Sequence, residues 1–573
     1  MISGLGGSIT LLGNKPVITG SFSGLDTGAL VQALVDAKRI PAVRLENRIV
    51  ENDARTVAVN EFTALLDTLR SAVDGLRRPP GLSGSASNVF ESKAAFLSSS
   101  STTPASDILG ATAGYSAAPG IYDITVQQLA QAHKVAGGAV ADATAALGVT
   151  ETLTVGVAGG TTADLAITAT MSLNDIVTAI NAQTSTTGVR ASTIKFGAND
   201  TRIVFTATET NKALTLSGDS GGALLSAIGV SADNGASFTN ELQAALPAIL
   251  EIDGFADPIT RDSNEITDII PEVTLDLRKA EPGTTVTLEI EADLAAAQQK
   301  IVEFVDAYNA VREFIDSQRE VSSDGTVSET AVLFGDNNMR SLSQRMSQDL
   351  ASFVGNLGSN VFSSLREIGI NLDADSKLTI DSTKLEAALV GNVDQVRGVL
   401  EFGFSANSAN LSIIDRDGPF SLGDFQITID GTDASGNIIG VSVAGYGAVF
   451  TIDGNRLIGN AGTAFEGLTL AYSAPPSSPS EVIDVSTSLG IAERLYQSID
   501  AYTRPGDGLF TTALEEIASE NMRLQEQIAR IDARLVLYQQ AQLERFAAME
   551  QAIAQANAMI DQMRAMLGID DDD

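Results

Sequence analysis

Both ends of this chain carry long apolar stripes at helical spacing, and most of what lies between them patterns as β. From Ile517 onward apolar residues recur at alternating steps of three and four: Leu524, Ile528, Ile531, Leu535 and Tyr538. Two four-steps then follow, through Gln542 to Phe546, a stutter in the heptad. The stripe resumes at Met549, Ile553, Ala556, Ile560, Met563 and Leu567. Its N-terminal counterpart runs through Leu45, Ile49, Asn52, Thr56 and Val59, then Phe62, Leu66, Leu69, Val73 and Leu76. So narrow a stripe asks for a partner helix. Two such ends around a β-rich middle imply a subunit whose termini return to one place and assemble. The competing expectation is that each stripe packs on its own globular core.

At 573 residues the chain has length for several domains. Its formal charge of −36 argues against nucleic acid, whose binders need a basic surface, and against anionic membranes. The acidity is uneven. Residues 26–80 hold eight acidic and eight basic side chains, whereas residues 511–573 hold twelve and five. There is no cysteine, which excludes disulfides and thiolate metal sites. The opening MISGLGGSITLLGNK has neither a basic n-region nor a long apolar core, so no cleaved secretory signal is expected. No apolar run reaches the length of a membrane span, and no membrane insertion is expected.

Along the chain, residues up to about Leu25 are Gly- and Ser-rich and are expected to be disordered in isolation. A helix starts at Asp26, a good N-cap. Pro41 marks a break or the first position of a second helix, which ends before Pro79 and Pro80. Strands are expected at Ser92–Leu97, Ile121–Val126, Leu153–Val157, Val189–Thr193, Arg202–Thr206, Ile269–Leu277 and Val286–Ile290, with a Ser172-capped helix over Leu173–Asn181. Helix returns at Asp293 and again over Met339–Leu350 and Ser382–Leu400. A further β block follows from Asn410 to Ala471, with a hairpin turn at Asp453-Gly454-Asn455. The run Ala474-Pro475-Pro476-Ser477-Ser478-Pro479 reads as its exit linker. Such a block is expected to be self-contained and excisable.

Nothing in the sequence specifies catalysis. Asp373, Asp375 and Asp381 faintly suggest a calcium loop, but Lys377 stands among the ligand positions and the turn glycine is missing. His133, the only histidine, fits a solvated or packing role better than a triad. No catalytic residue, cofactor or metal is expected.

Specific blocks do carry a resemblance. Ser23-Gly24-Leu25-Asp26-Thr27, then Ile40-Pro41 and Leu45-Glu46, open the series. Pro119-Gly120-Ile121-Tyr122 leads to Gln128-Leu129-Ala130-Gln131-Ala132, and Arg261-Asp262-Ser263-Asn264-Glu265-Ile266 precedes Pro271-Glu272-Val273-Thr274-Leu275-Asp276-Leu277. Phe304-Val305-Asp306-Ala307-Tyr308-Asn309 and Ile368-Gly369-Ile370 complete it. In this order they resemble the flagellar filament cap proteins, the flagellar hook-associated protein 2 family.

The resemblance implies a non-enzymatic, secreted, ring-like homo-oligomer at the distal filament tip, promoting polymerisation of exported flagellin and preventing its loss. It implies flagellin, hook–filament junction proteins and a flagellar type III export chaperone as partners. The fold class expected is α+β and multidomain. Long terminal helices form a coiled-coil leg and a helical domain, with inserted antiparallel β domains. The divisions expected are a partly disordered leg segment at 1–40; a helical domain from 41–80 and 293–400; β-rich plate domains over 81–292, one inserted in the other; an additional β domain at 405–480; and a C-terminal helical segment at 485–573 that pairs with the leg. The assembly seam expected comprises Leu524, Ile528, Ile531, Leu535, Tyr538, Phe546, Met549, Ile553, Ile560, Leu45, Ile49, Val59, Phe62 and Leu66. The family-like motif is Gly24, Leu25, Asp26 and Thr27. The alternatives are another axial filament-junction protein, a surface adhesin with its binding surface on the β domains, and a β-rich secreted hydrolase, which needs a convergent acid, base or metal site.

Overall fold

The computed structural model describes residues 8–12, 15–19, 26–79, 88–357, 361–416 and 423–567. Seven helices of ten residues or more lie among them: α1 (Thr27–Asp74), α2 (Leu173–Ala182), α3 (Leu294–Ser317), α4 (Asn337–Ala351), α5 (Ser382–Leu400), α6 (Ile491–Thr503) and α7 (Leu509–Leu567). The fold is α+β with several antiparallel sheets, divided into two compact units, residues 83–297 and the remainder.

In the first unit two cores are nested. A five-stranded sheet, ordered 259–261, 248–252, 120–128, 286–292, 93–99, shares its core with a three-stranded sheet of 265–266, 273–277 and 109–113. Strict alternation drives this burial: Val286, Leu288 and Ile290 point inward, while Thr287 and Glu289 stay on the wetter face. Between strands 120–128 and 248–252 the chain makes a second core around Val155, Ile176, Ile180 and Phe205. There α2 starts with a capping box, Ser172 and Asp175 each bonding the other's backbone. The strand expected over Ile269–Leu277 is shorter, Val273–Leu277, because Pro271 and Glu272 form a turn with Glu272 at φ 61°. His133 is buried. Its Nδ1 accepts from Leu214 N at 2.8 Å and its Nε2 faces Glu241 at 3.1 Å, which gives the residue a packing role that ties two strands together.

In the second unit α1 runs unbroken through Pro41, where a break was expected. Pro41 removes one helical N–H but sits exposed, while its neighbour Ala42 is fully buried and Val35 nearly so, so packing carries the helix across. The N-terminal half of α1 lies antiparallel to α7. The C-terminal half enters a helical core: Phe62 stacks on Phe314 of α3 at 5.2 Å and meets Phe510 of α7 edge-on at 5.3 Å. Residues 8–12 and 15–19, expected to be disordered, pair as a hairpin whose backbone lies against α7. The sequence between them, Gly13-Asn14, is of the kind that closes two-residue hairpins.

The late β block is larger than the sequence suggests. Its sheets are ordered 402–406, 481–489, 425–429, 441–443 and 411–416, 468–472, 456–459, 450–453. Strand Glu481–Leu489, unrecognised in the sequence, is central and pairs with both 402–406 and 425–429. The expected linker is instead tied down, with Thr432 N donating to Ser478 O and Thr432 Oγ1 to Pro475 O. Neither sheet includes the strand 120–128. Tyr472 donates to Glu481 Oε2 at 2.6 Å, and burial together with this carboxylate pushes the phenol up to about 12. The polar loop at Asp373 is an ordinary turn: its Oδ1 accepts from the N–H groups of Asp375 and Lys377.

Candidate assembly site

The pairing of α1 with α7 can be followed contact by contact. Phe62 meets Phe510, Asn52 meets Asn521, Arg39 meets Asp532, and Val31 and Val35 cluster with Leu535. As one number falls the other rises, so the helices are antiparallel and each stripe supplies the other's partner. The expected pairing of the C-terminal segment with the N-terminal leg is thus made within one chain.

The seam is apolar at its outer end and polar in the middle. Val31, Val35 and Leu535 are buried, with Ile531, Tyr538, Leu543 and Phe546 packed around them. Lys38 lies over the Tyr538 ring, 4.9 Å from its centre. Arg39 bonds Asp532 at 3.0 Å and Glu46 at 2.6 Å, and Arg48 pairs with Glu520 at 2.7 Å. Asn52 is buried; its Nδ2 donates to Asn521 Oδ1 at 2.9 Å, and Asn521 Nδ2 donates to Asp53 Oδ1 at 2.9 Å. The amide pair fixes register, because any slip leaves the buried Asn52 amide without its partner.

The seam residues expected from sequence divide into four groups. Leu524 and Leu535 are buried against α1, while Ile528, Ile531, Tyr538, Phe546, Ile553, Leu45 and Ile49 are half-buried. Val59, Phe62 and Leu66 are fully covered inside the chain's helical core, so they have no surface left for a second copy. Met549 and Ile560 are exposed on the end of α7 that runs past the start of α1. Of the N-terminal motif, Gly24 and Leu25 fall outside the described residues. Asp26 caps α1, accepting from Ala29 N at 2.9 Å, and Thr27 is buried with its hydroxyl unpaired among the described residues.

A second polar cluster joins the late β block to the helices. Glu493 of α6 is 2% exposed. Its Oε2 accepts from Arg416 Nη2 at 2.6 Å and Arg77 Nη1 at 3.3 Å, and its Oε1 from Gln497 Nε2 at 3.1 Å. Arg77 also pairs with Asp74 at 2.7 Å and lies 3.5 Å over the Tyr496 ring. Arg416 lies 4.2 Å over the Phe402 ring and donates to the Arg78 carbonyl. Burial pushes the Glu493 carboxyl up, but the Arg416 and Arg77 guanidiniums more than offset it and hold it below the usual carboxylate range. The β block is thus pinned by a buried charge cluster. The expectation that it shares few contacts with its host is corrected. Sequence reasoning missed this site, since Arg77 stands beside Asp74 and Arg78 just past α1 and Glu493 stands beside Arg494, so neither looks like a lone buried charge.

Among the described residues no group of three or more His, Cys, Asp or Glu side chains is placed to hold a metal ion, and no helix is long and apolar enough to cross a membrane.

Residues 245–558 match the family model for the flagellar hook-associated protein 2 C-terminus, and residues 23–133 match that for its N-terminus. The chain belongs to the flagellar hook-associated protein 2 family. A flagellin hook IN motif model matches residues 152–209, within the nested β core. The B-type flagellar hook-associated protein 2 of Pseudomonas aeruginosa is 28% identical over 62% of this chain and 76% of its own. The flagellar hook-associated protein 2 of Escherichia coli K12 is 29% identical over 64% and 76%. A crystal structure of D1-D2-D3 domains of the Escherichia coli flagellar cap protein aligns with a TM-score of 0.45 at 28% identity, covering 60% of this chain and 89% of that one.

Proposed function

We propose that this protein is the structural cap at the distal end of the bacterial flagellar filament, where it promotes polymerisation of exported flagellin and prevents its loss. The observation that carries this reading is the ordered match of both terminal family models, which cover α1 and most of its partner α7. The paired helices are the assembly element. The cap acts as a ring-like homo-oligomer, with flagellin, hook–filament junction proteins and an export chaperone as its partners. It works by holding and releasing protein surfaces rather than by chemistry. Deleting the gene tests this: a null strain should shed unpolymerised flagellin into the medium and lose motility, with both restored by the full chain. A null strain with normal filaments and clean medium rejects the reading.

A further inference from the structure

The seam between α1 and α7 uses one face of each helix and is closed within the chain. α1 carries a second apolar row on the other side. Val43, Val50 and Val57 stand seven residues apart and are 42%, 67% and 67% exposed. Seven residues are close to two turns, so the three side chains stand nearly in line, drifting ~20° per step. They point away from Asn52 and Val59, which are buried. Ile40, also exposed, lies a turn before Val43. Valine gives a solvent-facing helix position neither strong propensity nor solubility. α7 repeats the device: Met522, Ala529 and Val536, again seven apart, are all exposed. A helix offers a seven-residue apolar repeat to another helix.

Charge selects the occupant. The chain carries −36 overall, yet residues 26–80 balance eight acidic against eight basic side chains. A basic partner gains most on the acidic remainder of the molecule, and two copies of so acidic a chain repel one another over most of their surfaces. They meet with least repulsion at this neutral segment. We infer that the Val43–Val50–Val57 row is the surface through which one copy packs against the helix pair of a neighbouring copy. The inference rests on the cap reading and relocates its interface, from the seam legible in sequence to the outer face of α1.

The test places the photo-cross-linking residue p-benzoylphenylalanine at Val50 of the full chain, in cells that are building filaments. The expected product has the mass of two copies, and its cross-linked peptide comes from α1 or α7 of the second copy. Products with flagellin, with another protein or only within one chain overturn the inference. In parallel, the double variant Val50→Glu, Val57→Glu should keep the helix content and unfolding midpoint of the parent. Self-association of the purified chain, read by sedimentation, should weaken at least tenfold. Val50→Ser with Val57→Ser gives the same reading should the charged pair lower stability. Unchanged association of a folded variant overturns the assignment. The two readings fail separately: a null strain that retains its flagellin rejects the cap reading, whereas cross-links to something other than a second copy reject only the row.

Discussion

Along the outer half of α1, the buried cluster consists of Val31, Val35 and Leu535, whereas between Phe402 and Leu489 seventeen buried side chains close into one core. Both regions attach to the same helical core, and both use buried polar groups to do so. In the helix pair the amides of Asn52 and Asn521 set alignment, and little apolar area supports them. In the β block the apolar core is complete in itself, and the Arg416–Glu493–Arg77 cluster only fixes where it sits. Apolar burial supplies stability roughly in proportion to area, and buried polar pairs supply specificity. The β block is therefore stable and pinned. The helix pair is aligned but marginal.

The sharpest way to break this contrast is by excision. Removing residues 402–489 with a short linker takes out both sheets entire and leaves Glu493 paired with Arg77. One unfolding transition should vanish while the others stay. Removing only 410–471 leaves strands 402–406 and 481–489 without most of their sheet, with exposed edges, and should give insoluble protein. Equal solubility of the two deletions would sink the idea of a closed block.

The next effect is at the charge cluster. Glu493→Gln strands two guanidiniums in a buried site, and removing one partner of such a cluster costs about 3–5 kcal/mol. Calorimetry should show a lowered midpoint, and the same change made after excision of 402–489 should cost less. Because the folded carboxyl lies below its ordinary value, its stabilisation is complete above about pH 4.3 and is lost as pH falls through the folded value. Acid should therefore destabilise the parent protein more than Glu493→Gln. Parallel acid profiles for the two proteins count against the cluster as the acid-sensitive pin.

In the helix pair, Leu535→Ala should cost about 2 kcal/mol, the low end for a buried leucine, since its surroundings are half-open. The loss should appear as faster hydrogen exchange over residues 27–46 and 528–546, with the β units unchanged. Slower exchange or no change there removes α7 as the support of α1. The smallest expected effect is that of Asn52→Leu. It should raise the unfolding midpoint slightly while loosening alignment, so that single-cysteine pairs placed at Arg39 and Asp532 form disulfides less selectively. Undiminished selectivity means that the apolar contacts alone set the register.

Much of this organisation was legible because periodicity reports burial. The helix over 382–400 and the Ser172-capped helix follow directly from residue order, although the capping role of Asp381 was not read. The helix pair was legible as two stripes in want of partners. The pairing of the C-terminal segment with the leg came from the family resemblance and not from the heptads, which carry no sign of which chain supplies the partner. Pro41 misled because a local penalty was outweighed by packing at Ala42. Strand 481–489 was missed because it follows Pro479 and alternates with Asp484, Ser486 and Ser488, which resembles a polar linker until its neighbours are in place. The Arg416–Glu493–Arg77 cluster lay beyond reach, because its members come from three distant segments.

The antiparallel pairing of the first and last helices also closes a very long loop. Arg39 and Asp532 are 493 residues apart, and Asn52 and Asn521 are 469 apart. Closing a loop of that length from an unstructured chain costs about 2.5 kcal/mol more than closing one of thirty residues. That cost is comparable with the roughly 2 kcal/mol that one buried leucine of the Val31, Val35 and Leu535 cluster supplies. Folding of the intervening β units and helical core shortens the effective loop and so lowers the cost of zipping α1 and α7 together. The zipped seam draws on residues as late as Phe546. A chain cut short of that point can hold every native sheet and still present an unzipped α1. The state of the first helix therefore reports whether the last one is present.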